Sequence, residues 1–401
     1  MGYIFKLFRQ KILWLGLIAM LTVITLLIFA VLGSSVEPTP EDMPVALVVL
    51  DRGAEIPGGQ MVNFGKTIRE NIIKPQPVTE APPLKWTVLS SEKEALDVLD
   101  SEEYYGAIII PEDLSSKVAS LQGPAPVTGE IKMYVNQGMN STAATLITQM
   151  TGKIAENINA GLSNQILQGI KNKGGMVGAE QVSALANPIR LTTITANRVP
   201  PRSASGNAPG PLTQLAWMGG MVTTVFIFLA RKRTLANRRL DHALNIIAQV
   251  IAGAIYAAFA SLAAFIWIKG VLDMSISDSA GFCFYFGIIC FCFFLIQSCV
   301  LNWLGMPGIA LFILVFFFGL PILTMPPEML PSFTRNWIYP WIPMRFGTEI
   351  FRDILYFGKG INLDTPMTVL GLTGGVSFIL SLLTVLKPHK ENTAENNSTS
   401  S

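Results

Sequence analysis

The sequence carries little charge. Only 14% of its 401 residues are Asp, Glu, Lys or Arg, whereas about a quarter of an average soluble domain is charged. Half of the residues are apolar, and the mean hydropathy is +0.46. A soluble fold of this length needs more charge on its surface, so the composition indicates a membrane protein. The net charge of +2 gives no indication of nucleic-acid binding.

Histidine and cysteine are also scarce, which excludes several kinds of site. The two histidines, His242 and His389, lie far apart in the chain and form no metal-binding motif. The cysteines all fall within one apolar run and supply no disulfide framework for an exterior domain; they are Cys283, Cys290, Cys292 and Cys299. No nucleophile-and-base arrangement is present, so we do not expect an enzyme. Gly65-Lys66-Thr67 resembles the end of a phosphate-binding loop, but the first glycine of that motif is replaced by Gln60.

Six apolar segments are long enough to cross a bilayer. The first, residues 12–32, contains about 20 uncharged residues, the length that spans the hydrocarbon core. A cleaved signal peptide is the alternative, although its apolar region would run about 7–15 residues. The other five predicted spans are residues 212–230, 243–268, 280–301, 308–323 and 366–386. No charged residue lies in the middle of any span, which argues against an ion-driven carrier and favours an apolar or amphipathic cargo.

Basic residues predict the orientation, because Lys and Arg accumulate in cytoplasmic loops. Segment 231–242 is rich in them, as are the N-terminus and the start of the C-terminal tail; the basic residues of the segment are Arg231, Lys232, Arg233, Arg238 and Arg239. Both termini are therefore expected in the cytoplasm of a multi-pass plasma-membrane protein. The predicted organisation is a cytoplasmic N-terminus with the first helix (1–34), an extracellular domain (35–211), a five-helix membrane domain (212–390) and a disordered cytoplasmic tail (391–401).

The predicted extracellular region has the pattern of a small α/β domain. Residues 44–50 form a short continuous apolar run, which is typical of a buried strand. Further strands are predicted at 84–89, 105–110 and 130–135, with a helix at 92–99. From residue 141 to about 171, apolar residues recur at three or four and predict one long amphipathic helix. This helix either packs on its own domain or forms a stalk that pairs with a second copy.

A second amphipathic helix is predicted at 343–357, on the outer membrane surface. Its polar face contains Arg345, Glu349, Arg352 and Asp353, which we take as a candidate functional set. At helical spacing the Arg345–Glu349 pair attracts and the Glu349–Asp353 pair repels. The helix is either a lid over an exit route or a structural plug.

Several motifs resemble the YhgE/Pip (phage infection protein) branch of the ABC-2-type permeases. Residues 43–53 (MPVALVVLDRG) look like that family's opening strand and turn, and residues 104–115 (YYGAIIIPEDLS) and 134–140 (YVNQGMN) resemble its next strands. Residues 345–358 resemble the last exterior helix of ABC-2-type proteins. The compact exterior region also resembles a group that includes a nitrosoguanidine-resistance protein.

The resemblance implies a permease-like helix bundle in the lipid bilayer that forms a homodimer or pairs with a related permease. A separate ATP-binding cassette ATPase would bind segment 231–242, so ATP would be held by that partner and no cofactor by this chain. The expected function is export of an apolar or amphipathic compound. The alternative is a cell-surface receptor or envelope-assembly protein, of the phage-adsorption type, that acts through its extracellular domain.

Overall fold

The computed structural model describes residues 40–56, 59–73, 82–123, 125–172, 178–232, 239–359 and 364–387, and the single residues 18, 21 and 25. The predicted first span, the predicted disordered tail and two candidate residues, Arg233 and Arg238, lie outside the described residues, apart from the helical residues 18, 21 and 25. The chain divides into two units. An α/β unit contains the described residues up to Gly210 with Leu320–Trp341 and Arg352–Lys359, and a helical unit contains the described parts of Pro211–Gly319, Ile342–Phe351 and Gly360–Ser401.

The α/β unit contains seven strands and five helices among its described residues up to Gly210. The strands are β1 (Met43–Val49), β2 (Ala54–Ile56), β3 (Gln60–Val62), β4 (Leu84–Leu89), β5 (Gly106–Ile110), β6 (Gly129–Asn136) and β7 (Ile189–Ala196). The helices are α1 (Phe64–Ile73), α2 (Glu92–Asp100), α3 (Leu114–Ser120), α4 (Ser141–Asn172) and α5 (Ala179–Ala186). The predicted strands and the predicted helix at 92–99 are confirmed, whereas α3, α5, β7 and the β2–β3 hairpin were not predicted.

Five of the strands form one mixed sheet in the order β4-β1-β5-β6-β7. Strand β1 lies parallel to β4 and β5, β6 runs antiparallel to β5, and β7 lies parallel to β6. Strand β5 is buried at every position and β1 at most. Both are central and covered on two faces, which explains why their sequences are continuous apolar runs rather than alternating ones.

The long helix α4 belongs to the connection between the parallel strands β6 and β7. Its residues Ala143, Ile147, Leu162 and Ile166 are buried in the core that covers one face of the sheet. The apolar stripe predicted from the sequence is therefore the face that packs on the helix's own domain, which supports the first of the two interpretations.

Among its described residues the helical unit contains six α-helices. They are α6 (Pro209–Lys232), α7 (Arg239–Phe265), α8 (Ser279–Leu304), α9 (Ile309–Thr324), α10 (Pro343–Tyr356) and α11 (Thr365–Leu383). Three of them, α6, α9 and α10, have residues in segments assigned to the α/β unit. Within the described part of the chain, five helical segments are long and apolar enough to cross a membrane; they are Pro209–Lys232, Arg239–Val271, Ser279–Leu304, Met306–Thr324 and Thr365–Leu386. These correspond to the second to sixth predicted spans.

Helix α8 is the centre of this unit. Trp217 of α6 packs edge-on against Phe293, and Phe351 of α10 contacts Phe282 and Phe286. Small residues bring the neighbouring helices close, as expected for membrane bundles. A Cβ atom at Gly253 of α7 would overlap the ring of Phe294.

Glycine also allows α6 and α11 to approach α8 closely. A Cβ atom at Gly220 of α6 would lie 3.1 Å from Gln297 Oε1, and one at Gly374 of α11 would lie 3.5 Å from Cys292. The cysteines of α8 are free thiols, and Cys290, Cys292 and Cys299 are buried, where they pack as small apolar residues.

Candidate functional site

One end of the helical unit gathers basic side chains from three helix termini. Helix α6 ends with Arg231 and Lys232, α7 begins with Arg239, and Lys387 follows the last turn after α11. Lys387 Nζ donates to the Trp303 carbonyl at 2.8 Å and lies 4.4 Å from the centre of that indole ring. We call this the basic end, defined by Arg231, Lys232, Arg239 and Lys387.

The basic side chains differ in what they contact. Arg231 is half-buried and its Nη1 donates to Gln249 Oε1 of α7 at 2.9 Å. The same oxygen accepts a longer bond from Asn302 Nδ2 of α8 at 3.4 Å. Gln249 Oε1 therefore links α6, α7 and α8. Lys232 and Arg239, by contrast, are exposed and are available to a partner.

The polar residues predicted on the second amphipathic helix fall into two groups on α10. Arg345 Nε lies 2.8 Å from Glu349 Oε1, so the predicted attractive pair forms in the helical unit. Arg352 and Asp353 belong to the α/β unit. Arg352 Nη1 donates to the Met139 carbonyl at 3.1 Å and lies 3.5 Å from Glu102 Oε2.

Asp353 is buried in a compact cluster of charged groups. Lys359 Nζ lies 3.0 Å from Asp353 Oδ1 and 2.5 Å from Glu102 Oε1. Asp353 also hydrogen-bonds Glu102. The helical spacing placed Asp353 one turn after Glu349 on the same polar face. Glu102 and Lys359 were not indicated, because both follow helices in irregular segments. We call Glu102, Arg352, Asp353 and Lys359 the charged cluster.

The two carboxyls of the charged cluster ionise very differently. Burial, and then the hydrogen bond and negative charge of Glu102, raise the pKa of Asp353 to about 8. Burial opposes the ionisation of Glu102, but the hydrogen bond from Asp353 and the cations Arg352 and Lys359 outweigh it and lower the pKa of Glu102. Near pH 7 a protonated Asp353 therefore donates to an ionised Glu102, and the cluster holds one net positive charge.

A second polar group explains why two of the sequence motifs occur together. The Asp51 carboxylate, directly after β1, accepts from Gly65 N at 2.9 Å, from Ser115 N at 2.9 Å and from Ser115 Oγ at 2.5 Å. Asp51 thus binds the first turns of α1 and α3, where free N–H groups favour a negative charge. Hydrogen bonds from Ser115 to Asp51 therefore join the turn at residues 50–53 (the LDRG turn) to the turn at residues 111–115 in the α/β unit.

Comparison with known families identifies the chain. A family model described as an ABC-2 family transporter protein matches residues 11–383. The protein belongs to the ABC-2 transporter family. No curated protein and no solved structure matches the chain.

The ABC-2 assignment agrees with the chemistry of the helical unit. Across the described ranges there is no group of three His, Cys, Asp or Glu side chains that could hold a metal ion. A pocket of about 450 Å³ between α7 and α8 is lined mainly by apolar and small residues, including Ala257, Leu262, Gly287 and Phe291. Its polar lining is limited to Ser261, which donates to the Cys283 carbonyl. This ABC-2 protein is a multi-pass membrane protein of a transporter family, and the family as a rule pairs with ATPase subunits.

Proposed function

We propose that this ABC-2 family protein exports an apolar or amphipathic compound across the plasma membrane, driven by a separate ATP-binding cassette ATPase. Family membership supports the permease role. The exposed cations Lys232 and Arg239 at the basic end supply a surface for the ATPase. That surface, located where α6 ends and α7 begins, is the single observation that carries the proposal.

The proposed orientation places the basic end in the cytoplasm. Lys and Arg collect at this end of α6, α7 and α11, and the positive-inside rule assigns such loops to the cytoplasmic side. The α/β domain over residues 35–211 would then be extracellular, with both termini inside and residues 12–32 as a sixth span. Helix α10 would lie at the outer surface, and the aromatic side chains before it, Trp337 and Trp341, are exposed as interfacial anchors would be.

The proposed class of cargo follows from the apolar surfaces of the helical unit. The pocket between α7 and α8 offers apolar side chains and few hydrogen-bonding groups, which suits an apolar group. The exposed face of α7 is also apolar, with Ile251, Ile255, Phe259 and Leu262 more than half exposed. We propose that lipid and a second copy of this chain, or a related permease, cover such faces. The motifs at 43–53 and 104–115 favour the YhgE/Pip branch within the family.

The test reverses the charge of the two exposed basic residues. Lys232→Glu with Arg239→Glu should place like charges against an acidic docking surface, which costs up to several kcal/mol. We expect the variant to lose the vanadate-sensitive ATP hydrolysis that purifies with the wild-type protein in mild detergent, and to lose ATP-dependent efflux from proteoliposomes. Arg231 is left unchanged because it joins α6 to α7.

The matched control is Lys85→Glu with Arg190→Glu, which changes the same number of exposed charges in the α/β unit and should leave hydrolysis unaffected. Correct insertion is checked with Lys93→Cys, which an impermeant maleimide should label in intact cells. Full ATP-dependent efflux in a correctly inserted Lys232→Glu, Arg239→Glu variant would contradict the docking proposal. Wild-type protein without any associated hydrolysis would favour the receptor or envelope-assembly alternative.

A further inference from the structure

A line of buried polar side chains follows the interface of α6, α7 and α8 towards the basic end. Thr224, Gln249, Gln297 and Ser298 are at most 3% exposed, and Asn302 is partly buried. Each has one buried polar atom without a hydrogen-bond partner in the protein: Thr224 Oγ1, Gln249 Nε2, Gln297 Oε1, Ser298 Oγ and Asn302 Oδ1. We call these five residues the polar seam.

The seam is continuous along the helices. Gln297 Nε2 donates to the Trp217 carbonyl of α6 at 3.1 Å, and its Oε1 faces Gly220, one turn before Thr224. On the adjacent face of α8, Phe294 packs on Gly253 and Asn302 Nδ2 donates to Gln249 Oε1 of α7. Ser298 lies one turn from each, on the face of α8 that meets α7.

The composition of the seam is unfavourable for a purely structural contact. A buried polar atom without a partner destabilises the folded protein, and Val or Ala would fill the positions of Thr224 and Ser298 without that penalty. Native proteins leave few such groups unpaired, and each one that remains calls for an explanation, such as a bound group or a functional role. The position of the seam next to the half-buried Arg231, at the basic end, points to a role that involves that end.

We propose that the polar seam is a binding site for an uncharged, hydrogen-bonding group of the transported compound, which enters from the basic end when α6 and α7 separate. This rests on the proposed export function. The seam offers both donors and acceptors, since Gln249 Nε2 donates, Gln297 Oε1 and Asn302 Oδ1 accept, and the two hydroxyls do either. None of its five members is charged. An amide or hydroxyl matches this set, whereas a carboxylate or an ammonium group does not, so the cargo is amphipathic with a neutral polar group.

The first experiment measures whether the seam opens to water. In full-length protein whose natural cysteines are changed to alanine, Thr224→Cys and Ser298→Cys place thiols of nearly the original size in the seam. A cationic methanethiosulfonate reagent applied from the side of the basic end should modify both. The control Val222→Cys lies on the exposed face of α6, which we expect lipid to cover. A charged reagent does not enter lipid, so this thiol should react at least tenfold more slowly. Equal rates at Val222→Cys and Ser298→Cys, or no modification of the seam thiols, would overturn the proposal.

The second experiment tests the chemical class with defined probes. N-methyldecanamide carries a neutral amide on an apolar chain, and decanoate carries a charged head on the same chain. We expect the amide to slow modification of Ser298→Cys at least threefold and decanoate to leave the rate unchanged. Equal effects of both probes, or none from either, would contradict the proposal. Neither experiment needs the ATPase. Protection of the seam thiols in a protein without associated ATP hydrolysis would therefore support the binding site and contradict only the proposal that an ATPase drives export.

A stability measurement separates binding from structure. Thr224→Val and Ser298→Ala remove hydroxyls that satisfy no partner, so we expect the melting temperature of the purified protein to stay the same or to rise. A fall of several degrees in both variants would assign the hydroxyls to the fold and overturn the proposal.

Discussion

The two units treat buried polar groups in opposite ways. In the α/β unit, Asn136 is fully buried and its amide nitrogen donates to the Leu99 and Tyr104 carbonyls while its oxygen accepts from Asn197. Asp51 is similarly surrounded by donors. Of the seven buried side-chain polar atoms without a partner in the described residues, only Thr334 Oγ1 belongs to the α/β unit.

This contrast teaches that the two units are held together by different forces. In the α/β unit, buried hydrogen bonds fix which loops and helices meet, and the sheet core supplies the apolar area. In the helical unit, close approach at glycine and alanine holds the helices, as is typical of membrane bundles. The buried polar atoms of this unit that lack a hydrogen-bond partner are therefore not needed to define the fold and remain available for function.

The largest effect is expected when a hydrogen-bonded buried group is removed from the α/β unit. Asp51→Ala leaves the N–H groups of Gly65 and Ser115 without their acceptor. At about 1–3 kcal/mol for each buried unsatisfied group, we expect a loss of roughly 3 kcal/mol in the free energy of unfolding, measured by denaturant titration of the purified protein. Asp113→Ala is the matched control, because this exposed carboxylate makes no side-chain capping bond and its loss should cost under about 1 kcal/mol. Equal losses in both variants would refute the assignment.

In the helical unit the sensitive positions should be the small ones. Gly253→Ala places a methyl group on the ring of Phe294, and overpacking of this kind costs about 1–3 kcal/mol. Gly375→Ala on α11 meets nothing within 4 Å and should be neutral or slightly stabilising. Thermal unfolding in detergent compares the two. Equal melting temperatures would show that α7 and α8 do not depend on this contact.

The charged cluster should make stability depend on pH. Folding raises the pKa of Asp353 from 3.8 to about 8, so between these values the folded protein holds a proton that the unfolded chain has released. The free energy of unfolding should therefore fall as the pH rises from 5 to 8, by at most about 1.4 kcal/mol per pH unit. The lowered pKa of Glu102 acts in the other direction, since its contribution is lost as the pH falls below the ordinary range of a glutamate.

Two variants examine this pH dependence. Asp353→Asn keeps the hydrogen bond to Glu102 and removes the titrating group, so the decline from pH 5 to 8 should flatten. Glu349→Gln changes a half-buried carboxyl on the same helix that pairs with Arg345 and not with the charged cluster, so it should leave the slope intact. Melting temperatures recorded across this range provide the measurement, and an unchanged slope in Asp353→Asn would assign the pH dependence to other groups.

The smallest effect is expected at the surface of the α/β unit. Arg52 and Glu112 approach to 2.6 Å, but their side chains are 77% and 55% exposed. Exposed pairs contribute about 0–1 kcal/mol and are screened by salt. Arg52→Ala should therefore change the free energy of unfolding by less than about 0.5 kcal/mol at 0.15 M salt. A larger loss would mean that the LDRG turn depends on this ion pair as well as on Asp51.

Local sequence patterns predicted the elements that are apolar on all sides. The apolar runs at 243–268 and 280–301 became α7 and α8 because a spanning helix must satisfy its own backbone in lipid. Strand β5 was recognised for a similar reason, since it is buried on both faces. Strand β7 was not predicted because its apolar residues alternate imperfectly with threonine. They are Ile189, Leu191 and Ile194, and the strand lies at the sheet edge.

Contacts between distant residues were not predictable from one sequence. Asp353 meets Glu102 and Lys359 only after the chain folds, and nothing in the spacing of these residues links them. The polar seam was hidden for another reason. Thr224, Gln249 and Gln297 are neutral and lie singly in apolar runs, so no sequence pattern marks them as a group. Their common interface appears only when α6, α7 and α8 are placed together.

The α/β unit has a further consequence for the order in which the protein matures during synthesis. Tyr105 donates to Glu328 at 2.8 Å, and Glu41 pairs with Arg335 at 3.0 Å, although α6, α7, α8 and α9 lie between these partners in the chain. A ribosome that has just completed the sheet strands has not yet made Glu328, Arg335 or Lys359. The nascent domain must therefore wait, with Tyr105 and Glu102 still unmatched, while four apolar helices leave the ribosome. The domain can complete these contacts only after α6, α7, α8 and α9 have been synthesised.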